Sequence, residues 1–468
     1  MIETLNNEEL KTFVFKKVED FKSNLKEFKI GNDYYHNKHA ILEKKRLAVG
    51  EDGILVELHN LPNNKIIDNQ YKRLVDQKIN YILSRLPTVN SDENEKYAEI
   101  VKKFINRRFL RTLNTVAIDT LNYGIGWLYC YLKEGKLKVK RVDPEEIIPI
   151  WTDNNRDKLY GIIRIRTVDK FDSNRTAQEE YVELYLEDRI VIYKEKNKRT
   201  KEIEERVLSY ANIDGNSYSW GKLPFIYFKQ KNEEKLLDSV KSLQDTINVL
   251  ISNYADMLLE DPRSSIMVIK NYDGQDLGEF RQNLATYGAV KVRSDVGGDG
   301  DLKTLEVDIN AETYKVILDM LKEKLIEAGK GLDAKQQRSG HAPNMINIKS
   351  MYTDIELDAN SLELEFQASF EYMQYFIKTA NGLSEDTEEI EIEFKRNIMI
   401  NESEEIDNVV KSVGLVSNQT LLRQHPFVNN VEIEMEQLEE EREKEIESMA
   451  GYGFGELKRM EEKNEATE

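Results

Sequence analysis

Residues 312–329 read ETYKVILDMLKEKLIEAG, residues 329–343 read GKGLDAKQQRSGHAP, and from Asn344 the chain runs on to Ala380 without a glycine or proline. In the first stretch Tyr314, Ile317, Leu318, Leu321 and Leu325 recur at spacings of three and four, which puts them on one helix face and leaves the charges on the other. Gly329, Gly331 and Gly340 end the helical preference, and Pro343 suits the first turn of a new helix. The loop between carries Lys330, Lys335 and Arg338. After it, Ile348, Tyr352, Ile355, Ala359, Leu362, Phe366, Phe370, Met373 and Ile377 resume the rhythm and predict a helix of ~50 Å at 1.5 Å per residue. An apolar stripe of that length exceeds what one compact domain covers. A neighbouring copy is the expected partner, and the chain reads as a subunit of a ring or bundle.

The 468 residues suffice for two or three domains, and 40% hydrophobic with 33% charged content is that of a soluble protein. No apolar run approaches the ~20 residues of a membrane helix. The start, MIETLNNEELK, lacks the basic and apolar regions of a secretory signal, so secretion is not expected. One cysteine, Cys130 in GIGWLYCYL, reads as a buried strand thiol and excludes a disulfide framework within one chain. The net charge of −19 argues against gripping nucleic acid with the whole surface, but does not exclude handling DNA, since a wall past which DNA slides needs repulsion or indifference. From Asn430 onward 14 Glu stand against 5 Lys and Arg, so nearly half the excess lies in that stretch.

Taken in order, residues 8–28 predict an amphipathic helix on Leu10, Val14, Val18, Phe21, Leu25 and Phe28. His36 and His39 lie close together, but no cysteine or acidic cluster nearby completes a metal site. A second helix fits NQYKRLVDQKINYILS and a third Asn94 to Asn122, with Lys102, Lys103, Arg107, Arg108 and Arg111 on its polar side, a solvated or subunit-facing surface or a DNA or partner contact. From Ile125 to Lys229 the runs WLYCYL, LKVKRV, GIIRIRTV, EYVELYL, RIVIYK and PFIYFK predict an antiparallel meander. Residues 233–260 return to helix on Leu236, Val240, Leu243, Ile247, Leu250, Tyr254 and Met257, stopped by Asp261-Pro262. SSIMVIK and AVKVRS flank a short helix, DLGEFRQNLATY, and VGGDGD, a tight turn without EF-hand spacing, leads to LKTLEV. A strand is expected in IEIEFKRNIMI, then capped helices at Asn401 or Ser403 and at Ser417, the latter closed by Pro426. GYGFG is a break and not a nucleotide fingerprint. The chain has no GxxxxGK[ST], HExxH or GxSxG element, so neither a motor, a nuclease nor any other enzyme is expected, and no cofactor or metal is implied. A cytoplasmic oligomeric scaffold or adaptor of long helices is the alternative class. It would form a filament, dimer or mixed complex instead of a closed ring.

Several stretches, in order and spacing, resemble the portal protein family of tailed bacteriophages, in the branch of long-tailed phages and prophages of Gram-positive bacteria. They are YYHNKHAIL (34–42), DNQYKRLVDQKINYILSRLP (68–87), RVDPEEIIPIW (141–151), GKLPFIYFKQ (221–230), the helix and strand from Ser239 to Gly274, AGKGLD (328–333), SGHAPN (339–344), FKRNIMINESEEIDNV (394–409) and GLVSNQTLLRQHPFV (414–428). The resemblance covers most of the chain. It implies an α+β, mainly helical portal fold of wing, stem, clip and crown, with a β-rich meander in the wing and a small β-containing clip. On this sequence the wing would be 1–232 and the stem helices 233–260 and 311–329. The clip would be 261–310, the tunnel loop 330–343 and a long helix below the crown 344–380. A strand region returning to the wing would take 381–400, crown helices 401–450 and an acidic tail 451–468.

The resemblance further implies a homo-oligomeric ring of about twelve copies at one capsid vertex, with double-stranded DNA in its channel. A separate terminase large subunit, a head-completion or connector protein, and the major capsid and scaffolding proteins would be partners, with no membrane. The location would be the virion, and the host cytoplasm during assembly. Channel-loop residues would be Lys330, Lys335, Gln336, Gln337, Arg338 and His341. The stem would line the channel with Asp319, Lys322, Glu323 and Glu327, and the clip would present Lys291, Arg293, Asp299 and Asp301 to partners.

Overall fold

The N-terminal helix α1, Asn7–Phe28, opens on a capping box: Glu9 N–H donates to Asn6 Oδ1 at 3.0 Å and Asn6 N–H to Glu9 Oε2 at 2.9 Å. In this computed structural model the described residues are 6–49, 54–59, 61–90, 94–172, 175–197, 202–213, 216–260, 266–270, 294–295, 298–299, 301–305, 311–333, 345–396, 402–425, 427–428, 431 and 434–444. They fall into two compact units, Met1–Asp333 with Asp354–Asn397, and Ala334–Thr353 with Ile398–Glu468.

In the first unit, α1 buries Leu10, Val14 and Val18 against a five-stranded antiparallel sheet of β6 (Ile147–Trp151), β7 (Leu159–Asp172), β8 (Arg175–Tyr185), β9 (Ile190–Asn197) and β10 (Glu202–Leu208), in the spatial order β10-β9-β8-β7-β6. Alternation makes this sheet a middle layer. Ile163, Leu184 and Val191 face α1, while their chain neighbours Ile162, Tyr185 and Ile190 pack on Trp127 and Phe225 of a second, three-stranded sheet. That sheet joins β4 (Ile125–Lys133) to β5 (Lys136–Val142) on one side and β13 (Phe225–Lys229) on the other. The β-rich stretch is therefore not one meander. Its middle strands form one, and PFIYFK returns across about 90 residues of chain to pair with WLYCYL. Three two-stranded ribbons lie beside this stack in sequence or return to it from further along the chain. They are β1 (Leu47–Val49) with β2 (Leu55–Glu57), β11 (Ala211–Ile213) with β12 (Asn216–Tyr218), and β3 (Thr88–Asn90) with β18 (Glu391–Glu393).

Helix α5 (Arg107–Tyr123) packs on the three-stranded sheet, α2 (Ile30–Tyr35) and α3 (Gln70–Leu83) pack in turn on α5, and α4 (Glu95–Phe104) lies against β3. The single helix expected over 94–122 breaks in two because Asn106 takes an extended conformation and caps α5, accepting from Arg108 N–H at 3.0 Å and Phe109 N–H at 3.2 Å. Gly126 lets β4 lie directly on α5: a Cβ there would sit 2.5 Å from Val116 O. Helices α6 (Leu236–Glu260) and α7 (Ala311–Ala328) pack together through Tyr254 and Tyr314, ring centroids 4.5 Å apart. Between them in sequence, β14 (Ile266–Lys270) pairs antiparallel with β17 (Asp301–Leu305), and β15 (Ser294–Asp295) with β16 (Gly298–Asp299). SSIMVIK thus pairs with LKTLEV, whereas the expected helix DLGEFRQNLATY and most of AVKVRS lie outside the described residues.

The long helix α8, Met345–Ala380, has the expected stripe: Ile355, Ala359, Leu362, Phe366, Phe370, Met373 and Ile377 are buried. No second copy is needed to bury them. Phe366 and Phe370 pack on Phe228 of β13 (5.0 and 5.9 Å between ring centroids), Phe370 also on Phe109 of α5 and on Phe394, and Phe376 on Trp220. The expectation that the stripe requires a neighbour is corrected for these residues. The sheet, α5 and the returning segment 390–394 wrap it from three sides. In the second unit, α9 (Glu402–Lys411) contacts α10 (Asn418–Gln424), whose cap is Ser417 as the sequence indicates. Among the described residues no helix is long and apolar enough to cross a membrane.

Candidate functional site

Helix α6 carries four polar side chains at successive spacings of four, Gln244, Asn248, Ser252 and Asp256, all buried. They face the extended segment 62–69 and satisfy its backbone. Asp256 Oδ1 accepts from Asn64 N–H at 2.6 Å, Ser252 Oγ from Ile66 N–H at 2.9 Å, and Asn248 Oδ1 from Asp68 N–H at 3.0 Å. Gln244 Oε1 accepts from Tyr71 N–H at 2.9 Å, while its amide donates to Asp68 O at 2.8 Å. The match is geometric. Four residues of helix rise about 6 Å and two residues of extended chain about 6.6 Å, so Asp256, Ser252 and Asn248 meet every second backbone N–H, at residues 64, 66 and 68, and Gln244 reaches Tyr71 in the first turn of α3. Lys44 Nζ reaches Asp256 Oδ2 at 2.8 Å. Burial alone would raise the Asp256 carboxyl, but the hydrogen bonds from Lys44 and Asn64 outweigh it and hold the group below the usual carboxylate range.

His39 belongs to this ladder and not to a metal site. Its Nε2 lies 3.0 Å from Tyr34 O, an acceptor, and its Nδ1 lies 2.9 Å from Asn248 Nδ2, a donor, so the ring is the neutral Nε2–H tautomer. Burial lowers its pKa in the same direction. Among the described residues no group of three or more His, Cys, Asp or Glu could hold a metal ion. Cys130 is fully buried, and burial pushes its thiol far up.

Where α7 ends, the backbone closes on itself: Gly329 N–H donates to Leu325 O, Lys330 N–H to Glu327 O and Gly331 N–H to Ile326 O, at 2.8–3.0 Å. The left-handed position that glycine commonly fills at a helix end is taken by Lys330, with φ +50°. Its flanking glycines serve packing instead. A Cβ on Gly329 would lie 2.2 Å from Leu74 Cδ2, and one on Gly331 2.5 Å from Leu74 Cδ1. Two more residues of α3 bind this turn. Gln77 donates through Nε2 to Leu332 O at 2.8 Å and accepts through Oε1 from Leu332 N–H at 2.9 Å. Lys78, only 3% exposed, donates to Asp358 Oδ2 on α8 at 2.5 Å and to Lys330 O at 3.3 Å. Burial pushes the Lys78 ammonium below the ordinary lysine range, opposed by Asp358. Lys330 Nζ adds a looser, exposed contact to Asp358 Oδ1 at 3.5 Å.

Of the residues expected along the channel, Lys322 turns towards the chain's own N-terminal half and pairs with Asp68 at 2.6 Å. Glu323 and Glu327 are exposed, Glu327 beside Lys324 at 2.7 Å, and Asp319 is half-buried. Lys335, Gln336, Gln337, Arg338 and His341 lie outside the described residues, as do Lys291 and Arg293. Asp299 sits in β16 opposite Ser294, and Asp301 opens β17 opposite Lys270. The basic residues Lys102, Lys103, Arg107, Arg108 and Arg111 are exposed. Lys103 and Arg108 join Lys136 and Lys138 around a groove of about 610 Å³.

Sequence reasoning read α6 for its apolar face alone. The spacing Gln-x₃-Asn-x₃-Ser-x₃-Asp within it was the available signal for the ladder. Gln77, Lys78 and Asp358 gave no local signal, since their partners lie more than 250 residues away in sequence.

A sequence model of the family described as phage portal protein, SPP1 Gp6-like, matches residues 15–448. The portal protein of Clostridium phage phiCD119 is 30% identical over 414 residues, covering 85% of this chain and 89% of that protein. The portal protein of Bacillus phage SPP1 is 26% identical over 430 residues, covering 88% and 82%. Among solved structures, a chain in the neck of an empty gene transfer agent particle aligns with a TM-score of 0.44 at 10% identity, over 75% of this chain and 88% of that one.

Proposed function

This chain belongs to the SPP1 Gp6-like family of phage portal proteins and has their portal function, and from that premise we propose a ring of copies whose central channel passes double-stranded DNA into the capsid and out of it. The match across residues 15–448 carries the reading. On this proposal residues 1–232 form the wing, α6 and α7 the stem, 261–310 the clip, 330–343 the tunnel loop and 401–450 the crown. Exposed apolar side chains on both proposed stem helices, Val249, Leu258 and Leu259 on α6 and Val316, Ile317 and Met320 on α7, support a neighbouring copy there. The acidic Glu323 and Glu327 suit a wall that phosphate slides past, while Lys322, committed to Asp68, is left out of it.

The clip serves as the docking surface for terminase and, after packaging, for the head-completion protein. Packaging work is done by that separate motor, and the chain turns over no ATP of its own. Negative-stain images of the purified protein test the ring: closed rings with a central hole support it, and filaments or dimers would favour an adaptor. The loop's role is tested by Lys335→Glu with Arg338→Glu, since a lysine or arginine on phosphate is an electrostatic, sequence-independent contact. Rings and capsid incorporation are expected to persist while packaged or retained DNA falls severalfold. Wild-type packaging across a range of salt concentrations would remove the electrostatic role.

A further inference from the structure

Between Val101 and Arg141 ten Lys and Arg stand against Asp119 and Glu134, in a chain whose net charge is −19. Part of this local excess lines the groove of about 610 Å³ in the first unit, with Lys103 and Arg108 on one bank and Lys136 and Lys138 on the other. Lys103 reaches Glu99 at 3.2 Å, whereas Arg108, Lys136 and Lys138 form no ion pair among the described residues.

The second bank is Lys136 to Val139 of β5, an outer strand of its sheet. Consecutive residues of a strand point to opposite faces, so a groove that touches all four runs along the strand's open edge. That edge is unpaired. Glu134 and Gly135, at φ +54° and +71°, form a two-residue turn that makes Lys133 and Lys136 a hydrogen-bonded pair, which turns the N–H and C=O of Leu137 and Val139 away from β4. No described backbone takes them. Lysines on an open edge commonly serve only to repel another strand. Here they face further cations across the half-buried Ile100, Phe104, Leu137 and Val139, so the groove refuses a basic strand and suits one that alternates acidic with apolar residues. Phosphate would use the cations alone and leave the apolar floor and the strand edge without a partner.

We propose that this groove binds an extended segment of another protein, acidic and apolar in alternation, which adds to β5 as a strand and sets its carboxylates against Lys103, Arg108, Lys136 and Lys138.

A short fluorescein-labelled peptide of alternating glutamate and valine tests this by anisotropy with the full-length protein. Saturable binding that weakens with salt is expected. Lys136→Glu with Lys138→Glu should lower the affinity about tenfold or more, and Arg108→Glu should act in the same direction. All three side chains are exposed, so thermal unfolding should not move. A second measurement needs no variant of the protein. Methylating the amide nitrogens of one alternate set of peptide residues should abolish binding and methylating the other set should leave it, because only one set faces β5. Equal effects of the two sets would mean attraction without strand pairing and overturn the proposal, as would absent binding or binding indifferent to the charge reversals. Double-stranded DNA that outcompetes the peptide, and loses its own binding on the same reversals, would make the groove a nucleic-acid contact. Oligomers that fall apart in the Lys136→Glu, Lys138→Glu protein, seen by light scattering, would give the groove to a neighbouring copy. Either result overturns the proposal.

Discussion

Replacing Asn248 with leucine removes the centre of the α6 ladder while nearly conserving shape. The amide accepts from Asp68 N–H at 3.0 Å and from Gln244 Nε2 at 3.1 Å, and donates to His39 Nδ1 at 2.9 Å, all within a buried environment. Each such bond contributes about 1 kcal/mol net, and each partner left unpaired and buried costs about 1–3 kcal/mol, so Asn248→Leu should destabilise by roughly 3–5 kcal/mol. The first unit has roughly 380 residues, for which an unfolding entropy of about 2.1 cal/mol/K per residue gives ~0.8 kcal/mol/K and a fall in Tm of about 4–6 °C. Differential scanning calorimetry at fixed protein concentration and two scan rates measures it. Thr246→Ala, on the exposed side of the same helix with only an i−4 bond to Ser242 O, is the control and should move Tm by less than about 1 °C. A shift that small for Asn248→Leu would refute the ladder as a determinant of stability.

Gly329→Ala drives a methyl into Leu74, and overpacking of this kind costs about 1–3 kcal/mol. Thermal unfolding should show the loss, and Leu74→Ala in the same chain should recover part of it; no loss would mean that the turn is not held against α3. Asp256 has a folded pKa below its ordinary 3.8, so its stabilisation is present above that value and disappears as pH falls through the folded pKa. Asp256→Asn should therefore lower stability at neutral pH and flatten the acid limb of a denaturant-midpoint titration below about pH 4. An acid limb of unchanged slope would show that the carboxylate is not the titrating group.

The elements most legible in the sequence were those whose burial follows one period. In α8 the positions Ile355 to Ile377 keep their spacing because one straight helix lies in one trough. The inference from its length failed for a reason the sequence does not display locally. The trough is made by β13, α5 and residue Phe394, which approach from distant parts of the chain. The α4–α5 break turned on Asn106, a residue neutral to a hydrophobic pattern and decisive as a cap. The site was less legible than the fold. Gln77 and Lys78 are ordinary surface residue types, and only tertiary pairing makes them buried or bonded.

The ladder on α6 also decides how the molecule answers a push. A leucine seam between a helix and an extended segment can slide by a residue at shallow cost, because dispersion contacts re-form in any register. Four polar teeth, each engaging a backbone amide, do not slide. One step of slip would strand Gln244, Asn248, Ser252 and Asp256 together, with their partners, away from water. The bonds tie α6 to residues 64–71, and so to the start of α3, in one register along the length from Gln244 to Asp256. Exchanging the teeth for aliphatic residues would remove the register as well as the hydrogen bonds, leaving a plain bearing where the native seam behaves as a rack.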